Sequence, residues 1–141
     1  MSPQEQTYSG AIVDLFERLV RGEDCEDWAA DKYVYCGAVS LRKKGVTVLL
    51  FNDCDVADYI EEIRVGGRTV YAYSLQGQGG EEWGASEEWL RFGSWLNRYL
   101  AENRGAISRS LFGRYRASGK RDISTVKVRY LDDSEMCGAS T

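Results

Sequence analysis

Between residues 33 and 75, apolar and polar side chains alternate in four short runs separated by three tight breaks. Strand side chains point to opposite faces in turn, so Tyr33, Tyr35, Val39 and Leu41 form one face of a first strand, with Cys36 expected to be buried within it. Lys43-Lys44-Gly45 breaks that run. Val46-Thr47-Val48-Leu49-Leu50-Phe51 is then almost continuously β-branched and apolar, the pattern of a central strand covered on both faces. It stops at Asn52-Asp53-Cys54-Asp55, where Asn and Asp side chains bond neighbouring backbone groups and tolerate left-handed geometry. Two further runs, 59–65 and 68–75, flank Gly66-Gly67, a glycine pair that supplies positive φ in a hairpin. That turn sets Val65 opposite Arg68, Ile63 opposite Val70 and Glu61 opposite Ala72. On the other face it sets Glu62 against Tyr71 and Ile60 against Tyr73.

Helical periodicity flanks these strands. Ser2-Pro3-Gln4-Glu5 combines a hydroxyl cap, proline at the first helical position and a glutamate three residues after the cap, so a helix is expected over 3–21. Tyr8, Ile12, Leu15, Phe16, Leu19 and Val20 make its apolar stripe, a core face, and Gly22 ends it. Ser86-Glu87-Glu88 opens a second helix with a cap and first-turn acids. Its apolar face is Trp89, Phe92, Leu96, Tyr99 and Leu100, with Trp95 beside it, and Asn103-Arg104-Gly105 closes it. Ile107, Leu111, Phe112 and Tyr115 suit a further short helical turn, and 122–131 alternates again as a returning strand. The fold class expected is α+β: an N-terminal helix, an antiparallel four-stranded meander, a second helix and a returning C-terminal strand. One domain spans 1–131, and 132–141 is a frayed tail without apolar pattern.

Composition narrows the chemistry. With 141 residues, 43 % hydrophobic and 28 % charged, the chain is long enough to fold around one core without disulfides. It carries no secretory leader pattern and no apolar run near the roughly 20 residues that span a bilayer, so a cytoplasmic protein with no membrane partner is expected. The four cysteines, Cys25, Cys36, Cys54 and Cys137, are 11, 18 and 83 residues apart and form no C-x-x-C pair. Reduced thiols, no zinc and no cofactor are the expectation. The sequence has no histidine, which removes Ser-His-Asp and Cys-His catalysis and every histidine metal site. Gln76-Gly77-Gln78-Gly79-Gly80-Glu81-Glu82 sits where a phosphate loop would, but the G-x-G-x-x-G spacing needs glycine at Glu82. Asp53, Asp55, Asp58, Glu61 and Glu62 fail as a calcium-binding EF-hand loop, because its sixth and twelfth positions fall on Asp58 and Arg64. As carboxylates they remain open to acid/base chemistry.

Charge is unevenly distributed. Residues 1–103 carry ten basic and eighteen acidic side chains, 104–129 eight and one, and 130–141 three acidic, for net charges of −8, +7 and −3. The basic strip, with Arg104, Arg109, Arg114, Arg116, Lys120 and Arg121, admits two readings: a phosphate-binding surface with Phe112 and Tyr115 for stacking, or a solvated complement to the acidic half. The segment 23–31 sets five carboxylates around Trp28. It too admits two readings: a solvated acidic loop whose tryptophan plugs the sheet, or a partner-binding face.

Tyr35-Cys36-Gly37, Phe51-Asn52-Asp53-Cys54-Asp55, Asp58-Tyr59 and Gly67-Arg68 resemble the signature of a family of small uncharacterised pseudomonad proteins, over about residues 8–75. The resemblance implies a bacterial or phage origin and the fold of the first half, and no activity. A small acidic chain without histidine or metal spacing suits a non-enzymatic protein that binds and inhibits a macromolecular partner, of the phage anti-defence (anti-CRISPR) type or the toxin-immunity type. The partner expected is a protein or ribonucleoprotein with a basic surface, met by Asp24, Asp27, Trp28, Asp53, Asp55 and Asp58. Direct nucleic-acid binding through Arg109, Arg114, Arg116, Lys120 and Arg121 is the alternative and is not expected, and a carboxylate-based enzyme is the third reading.

Overall fold

Helix α1 runs over Pro3–Arg21 because both ends are closed locally. The Ser2 hydroxyl accepts from the Glu5 amide at 3.2 Å while the Glu5 carboxylate accepts from the Ser2 amide at 2.9 Å. At the other end Gly22 takes φ 69°, where a Cβ would be strained, and its N–H returns to Leu19. Ile12, Leu15, Phe16 and Leu19 are buried, so the expected stripe is core. The computed structural model describes residues 1–30, 34–75, 86–113 and 129–130. The expected tail, the loop 76–85, Tyr33, and 114–128 lie outside the described residues.

The meander is present as β2 (Cys36–Lys43), β3 (Val46–Asp53), β4 (Ala57–Val65) and β5 (Arg68–Ala72), and its turn at Gly66 and Gly67 has φ of 60° and 79°. The sheet is larger than expected. A two-residue strand β1 (Ala29–Ala30) pairs antiparallel with β2, and β6 (Arg129–Tyr130) pairs parallel with β1, giving the order β5-β4-β3-β2-β1-β6. The returning strand thus joins the far edge beside β1. In β3, Val46, Val48, Leu50 and Asn52 are buried while Thr47, Leu49 and Phe51 are half-buried, so one face is covered and not two. Apolar residues at the half-buried positions hid this alternation. Cys36, expected to be buried, is exposed, and Tyr35 precedes the strand with 48 % of its surface in solvent.

Three irregularities reset the register, one in β4–β5 and two in β3–β4. Val65 pairs with Arg68 as expected, but beyond Arg64 the ladder slips, so Ile63 faces Tyr71 and Glu62 faces Ala72. The expected pairs Ile63–Val70, Glu61–Ala72 and Glu62–Tyr71 are therefore replaced. Ile60–Tyr73 is lost too, since Tyr73 opens a 3₁₀ turn (Tyr73–Leu75) and its ring meets Tyr59, with centroids 4.6 Å apart. A second slip, in β3–β4, takes the partner from Glu62 at Leu49 to Ile60 at Leu50. Bulges leave local backbone groups outside the ladder. Here Asn97 on helix α2 (Glu87–Glu102) takes them up: its Oδ1 accepts from the Ile60 amide at 2.6 Å and its Nδ2 donates to the Ile60 carbonyl at 3.3 Å. The same Nδ2 lies 2.8 Å from the Tyr71 hydroxyl.

Helix α2 starts at the Ser86 cap, whose hydroxyl accepts from the Trp89 amide at 3.2 Å, and buries Trp89, Gly93, Leu96 and Leu100 on the sheet. Asn103 ends it, and α3 (Arg104–Ser108) with a π-helical turn (Arg109–Gly113) realises the expected short helical segment. Glu5 ties α1 to this layer, accepting from Trp89 Nε1 at 3.0 Å and from Arg68 at 3.2 Å. All three helices join one core cluster with the inner sheet face.

Two glycines in helices separate packing from propensity. A Cβ on Gly93 would lie 2.1 Å from the Tyr71 ring, whereas one on Gly10 would meet nothing within 4 Å. Urea titration should show Gly93→Ala less stable by about 1–3 kcal/mol and Gly10→Ala more stable by about 0.5–1 kcal/mol. A neutral Gly93→Ala would mean that α2 is not seated on Tyr71. The hydrogen bonds from the Ser2 amide and from Trp89 hold the Glu5 carboxyl below its ordinary value of 4.5. A depressed folded-state pKa stabilises above the unfolded value and loses that contribution as pH falls through the folded one. The stability gap between the native chain and Glu5→Gln should therefore close on acidification from about pH 6 to about pH 3, and a gap independent of pH would contradict it.

Candidate functional site

The β3–β4 turn is held from several directions. Asn52 is fully buried, and its Nδ2 donates to the Val34 carbonyl at 2.8 Å. The Cys54 amide donates to Tyr35 at 2.9 Å, and Asp53 and Val56 exchange backbone hydrogen bonds at 2.8 and 3.1 Å. This closure puts two consecutive non-glycine residues into left-handed geometry, Cys54 at φ 54° and Asp55 at φ 65°. Each costs on the order of 1 kcal/mol. From α3, Ser108 accepts from the Ala57 amide at 2.9 Å, and Arg104 donates to the carbonyls of Ala57 at 3.0 Å and Asp58 at 2.7 Å.

Within this turn the fold assembles a cluster the sequence spacing did not suggest. Cys36 pairs with Asp53 across β2–β3, and the Sγ atoms of Cys36 and Cys54 lie 2.8 Å apart. With the Asp53 carboxylate, the three exposed groups place their donor atoms within 4.8 Å of one another. Sharing a hydrogen bond with Cys36, with some desolvation, pushes the Cys54 thiol up to about 11. Residues 36 and 54 are far apart in sequence; the pairing of Cys36 with Asp53 and the left-handed turn at Cys54 just beyond it bring them together.

Trp28 is 1 % exposed and sits in the core with Cys25. Burial pushes Asp27 up, but hydrogen bonds from Lys43 and Arg18 outweigh it and hold the carboxyl below its usual range. Arg18 contacts Asp27 at 2.9 Å, Asp14 at 2.9 Å and the Asp24 carbonyl at 2.7 Å, and Lys43 reaches Asp27 at 3.0 Å. Of the expected partner-binding residues, Trp28 and Asp55 are therefore interior, Asp27 is ion-paired and Asp58 lies 3.9 Å from Arg104. Asp24 and Asp53 are exposed, at separate places on the surface. Among the carboxylates considered for catalysis, Glu62 is bound to Arg64 at 2.7 Å and Asp55 is buried. In the basic strip Arg109 is exposed and Arg104 is turned onto β4; Arg114, Arg116, Lys120 and Arg121 lie outside the described residues.

Two surfaces emerge that the sequence did not single out. On the open sheet face Phe51 stacks on Tyr59 at 5.3 Å, and Tyr59 meets Tyr73. Between α1 and α2 lies a groove of 710 Å³ whose lining includes Gly10, Val13, Phe92 and Trp95 with Asp14, Glu17 and Glu88. Its aromatic wall is Phe92 stacked on Trp95 at 5.9 Å, and Trp95 stacks in turn on Tyr99 at 5.4 Å. Trp95 remains 37 % exposed. Its place beside the apolar stripe of α2 was the available signal, since a large aromatic at the edge of the core face keeps one side in solvent.

No family model, curated protein or solved structure matches this chain. The resemblance over residues 8–75 thus rests on the residues themselves. Among the described residues no helix is long and apolar enough to cross a membrane.

The turn makes its own test. Asn52→Ala removes the partner of the Val34 carbonyl at a fully buried position and should cost about 1–3 kcal/mol in urea unfolding. Asp24→Ala, at an exposed position, should stay within about 0.5 kcal/mol of the native chain.

Proposed function

We propose that the protein is a non-enzymatic cytoplasmic binder that inhibits a basic macromolecular partner by receiving a segment of it in the α1–α2 groove. The observation carrying this reading is the groove itself, with Trp95 partly exposed on an aromatic wall and carboxylates around it. Concave apolar surfaces with a few charged groups at the margin are the usual form of a recognition site, and partly exposed tryptophans are frequent binding anchors. Charge selects the partner. Asp14, Glu17 and Glu88 line the groove with Arg91 and the Met1 terminal ammonium, which lies 2.6 Å from Glu88, while Arg18 holds Asp14 at 2.9 Å. Glu17 makes no ion pair among the described residues, and residues 1–103 carry a net −8. An amphipathic basic segment supplies both complements, apolar anchors at helical spacing and positive charge at the rim.

Absence of histidine supports the non-enzymatic part. The inhibitory part, of the anti-defence or toxin-immunity type, follows from what a small acidic body does to a basic functional surface it covers: it neutralises and occludes it.

A photo-crosslinker at Gln6, which lines the groove, should capture the partner in host cells, and one at Arg64 on the open sheet face should not. With the captured partner purified, Trp95→Ala should weaken binding by about 2 kcal/mol or more. Glu17→Lys should slow association chiefly, with an effect that fades as salt is raised. Capture from Arg64 alone, with both substitutions silent, would move the partner to the sheet and end the groove reading.

A further inference from the structure

We propose that Cys36 and Cys54 are a redox-active dithiol that closes into a disulfide between the start of β2 and the β3–β4 turn, with a low-molecular-weight disulfide as oxidant. The sulfurs are 2.8 Å apart, about 0.8 Å more than a bonded pair. Two thiolates on a tetrahedral zinc, each about 2.3 Å from the metal, sit about 3.8 Å apart, so the observed separation lies on the disulfide side. Among the described residues Asp53 would supply only a third ligand, and structural zinc sites take four.

Both thiols are exposed and reachable by a small oxidant, whereas Cys25 is fully buried. Both backbones are already fixed, by the Cys54 amide on Tyr35, Asn52 on Val34 and the β2–β3 ladder. Ordering is the main entropic obstacle to closing a loop, and here folding has met it. The left-handed step at Cys54 and Asp55 turns the chain back so that Cys54 reaches Cys36.

The step balances as thiol–disulfide exchange. Cys36 loses its proton to solvent and attacks one sulfur of the reagent; a bond forms from Cys36 to that sulfur as the reagent's S–S bond breaks, and one thiolate leaves and takes a proton. Cys54 then gives up its proton and attacks the Cys36 sulfur, forming the protein disulfide and expelling the second thiol. The dithiol is oxidised by two electrons, and the reagent is reduced to two thiols.

The test treats the reduced full-length chain with oxidised glutathione in the presence of a chelator, quenches in acid, and maps the products. The expected result is that Cys36 and Cys54 become resistant to alkylation, and that the tryptic peptides 33–42 and 45–64 appear as one linked pair without glutathione. Cys54→Ser should instead retain glutathione on Cys36, because the second displacement is lost. Finding Cys36 and Cys54 both alkylatable, or each carrying glutathione in the native chain, would overturn the proposal. So would links of either residue to Cys25 or Cys137. One equivalent of zinc bound before chelation and absent from Cys36→Ser and Cys54→Ser alike would replace it with a metal site.

Discussion

The seat of Tyr71 under Gly93 sets the position of most other parts. A bulge in β4–β5 turns Tyr71 onto the helix-facing side with Ile63, where a regular hairpin would have placed Val70. The ring then occupies the space a helix side chain would need, and glycine is the residue that leaves it free. One turn further along α2, Asn97 serves the Tyr71 hydroxyl and the Ile60 backbone together. A single side chain thus satisfies both a buried hydroxyl and the irregular stretch of β4, two groups that would each be costly unpaired. Once α2 is fixed at Gly93 and Asn97, Phe92 and Trp95 necessarily face α1 and form the wall of the groove.

Charge follows the same logic of local satisfaction. Trp28 carries its acidic neighbours toward the core edge, and Arg18 and Lys43 answer them there. Arg18 serves Asp14, Asp27 and the Asp24 carbonyl from one planar fork, a geometry suited to several oxygen acceptors at once. Among the described residues, Glu17 beside the groove and Asp53 beside Cys36 and Cys54 are examples of carboxylates without an ion pair. A run of carboxylates in sequence therefore says little about where the negative potential falls, because cations arrive from other elements.

At the β3–β4 turn, strain and chemistry coincide. Two left-handed non-glycine residues persist there because hydrogen bonds from the residues just before β2, from the turn itself and from α3 over-determine the backbone. The fold thereby sets two exposed sulfurs and a carboxylate close together.

Periodicity alone determined α1 with both caps, the core stripe Ile12, Leu15, Phe16 and Leu19, the span of α2, and the four strands of the meander with the Gly66-Gly67 turn. These are local quantities: capping, side-chain alternation and positive φ depend on residues within a few positions of one another. Tertiary structure decided everything that needed a partner distant in sequence. It added β1 beside β2 and set the returning strand against β1, left one sheet face open where the apolar run of β3 suggested two covered faces, and shifted the β4–β5 pairing so that Tyr71 could meet Gly93. The candidate sites follow the same division. The turn at Asp53 was legible because Asn and Asp declare turns, but the approach of Cys36 to Cys54 was not, since it depends on ladder register. Trp28 was visible as an aromatic among acids, yet only packing could show that it faces inward while Trp95, at the edge of an apolar stripe, faces out. Side-chain pattern specifies which face of an element is apolar, and the contacts between elements specify how much of that face is covered.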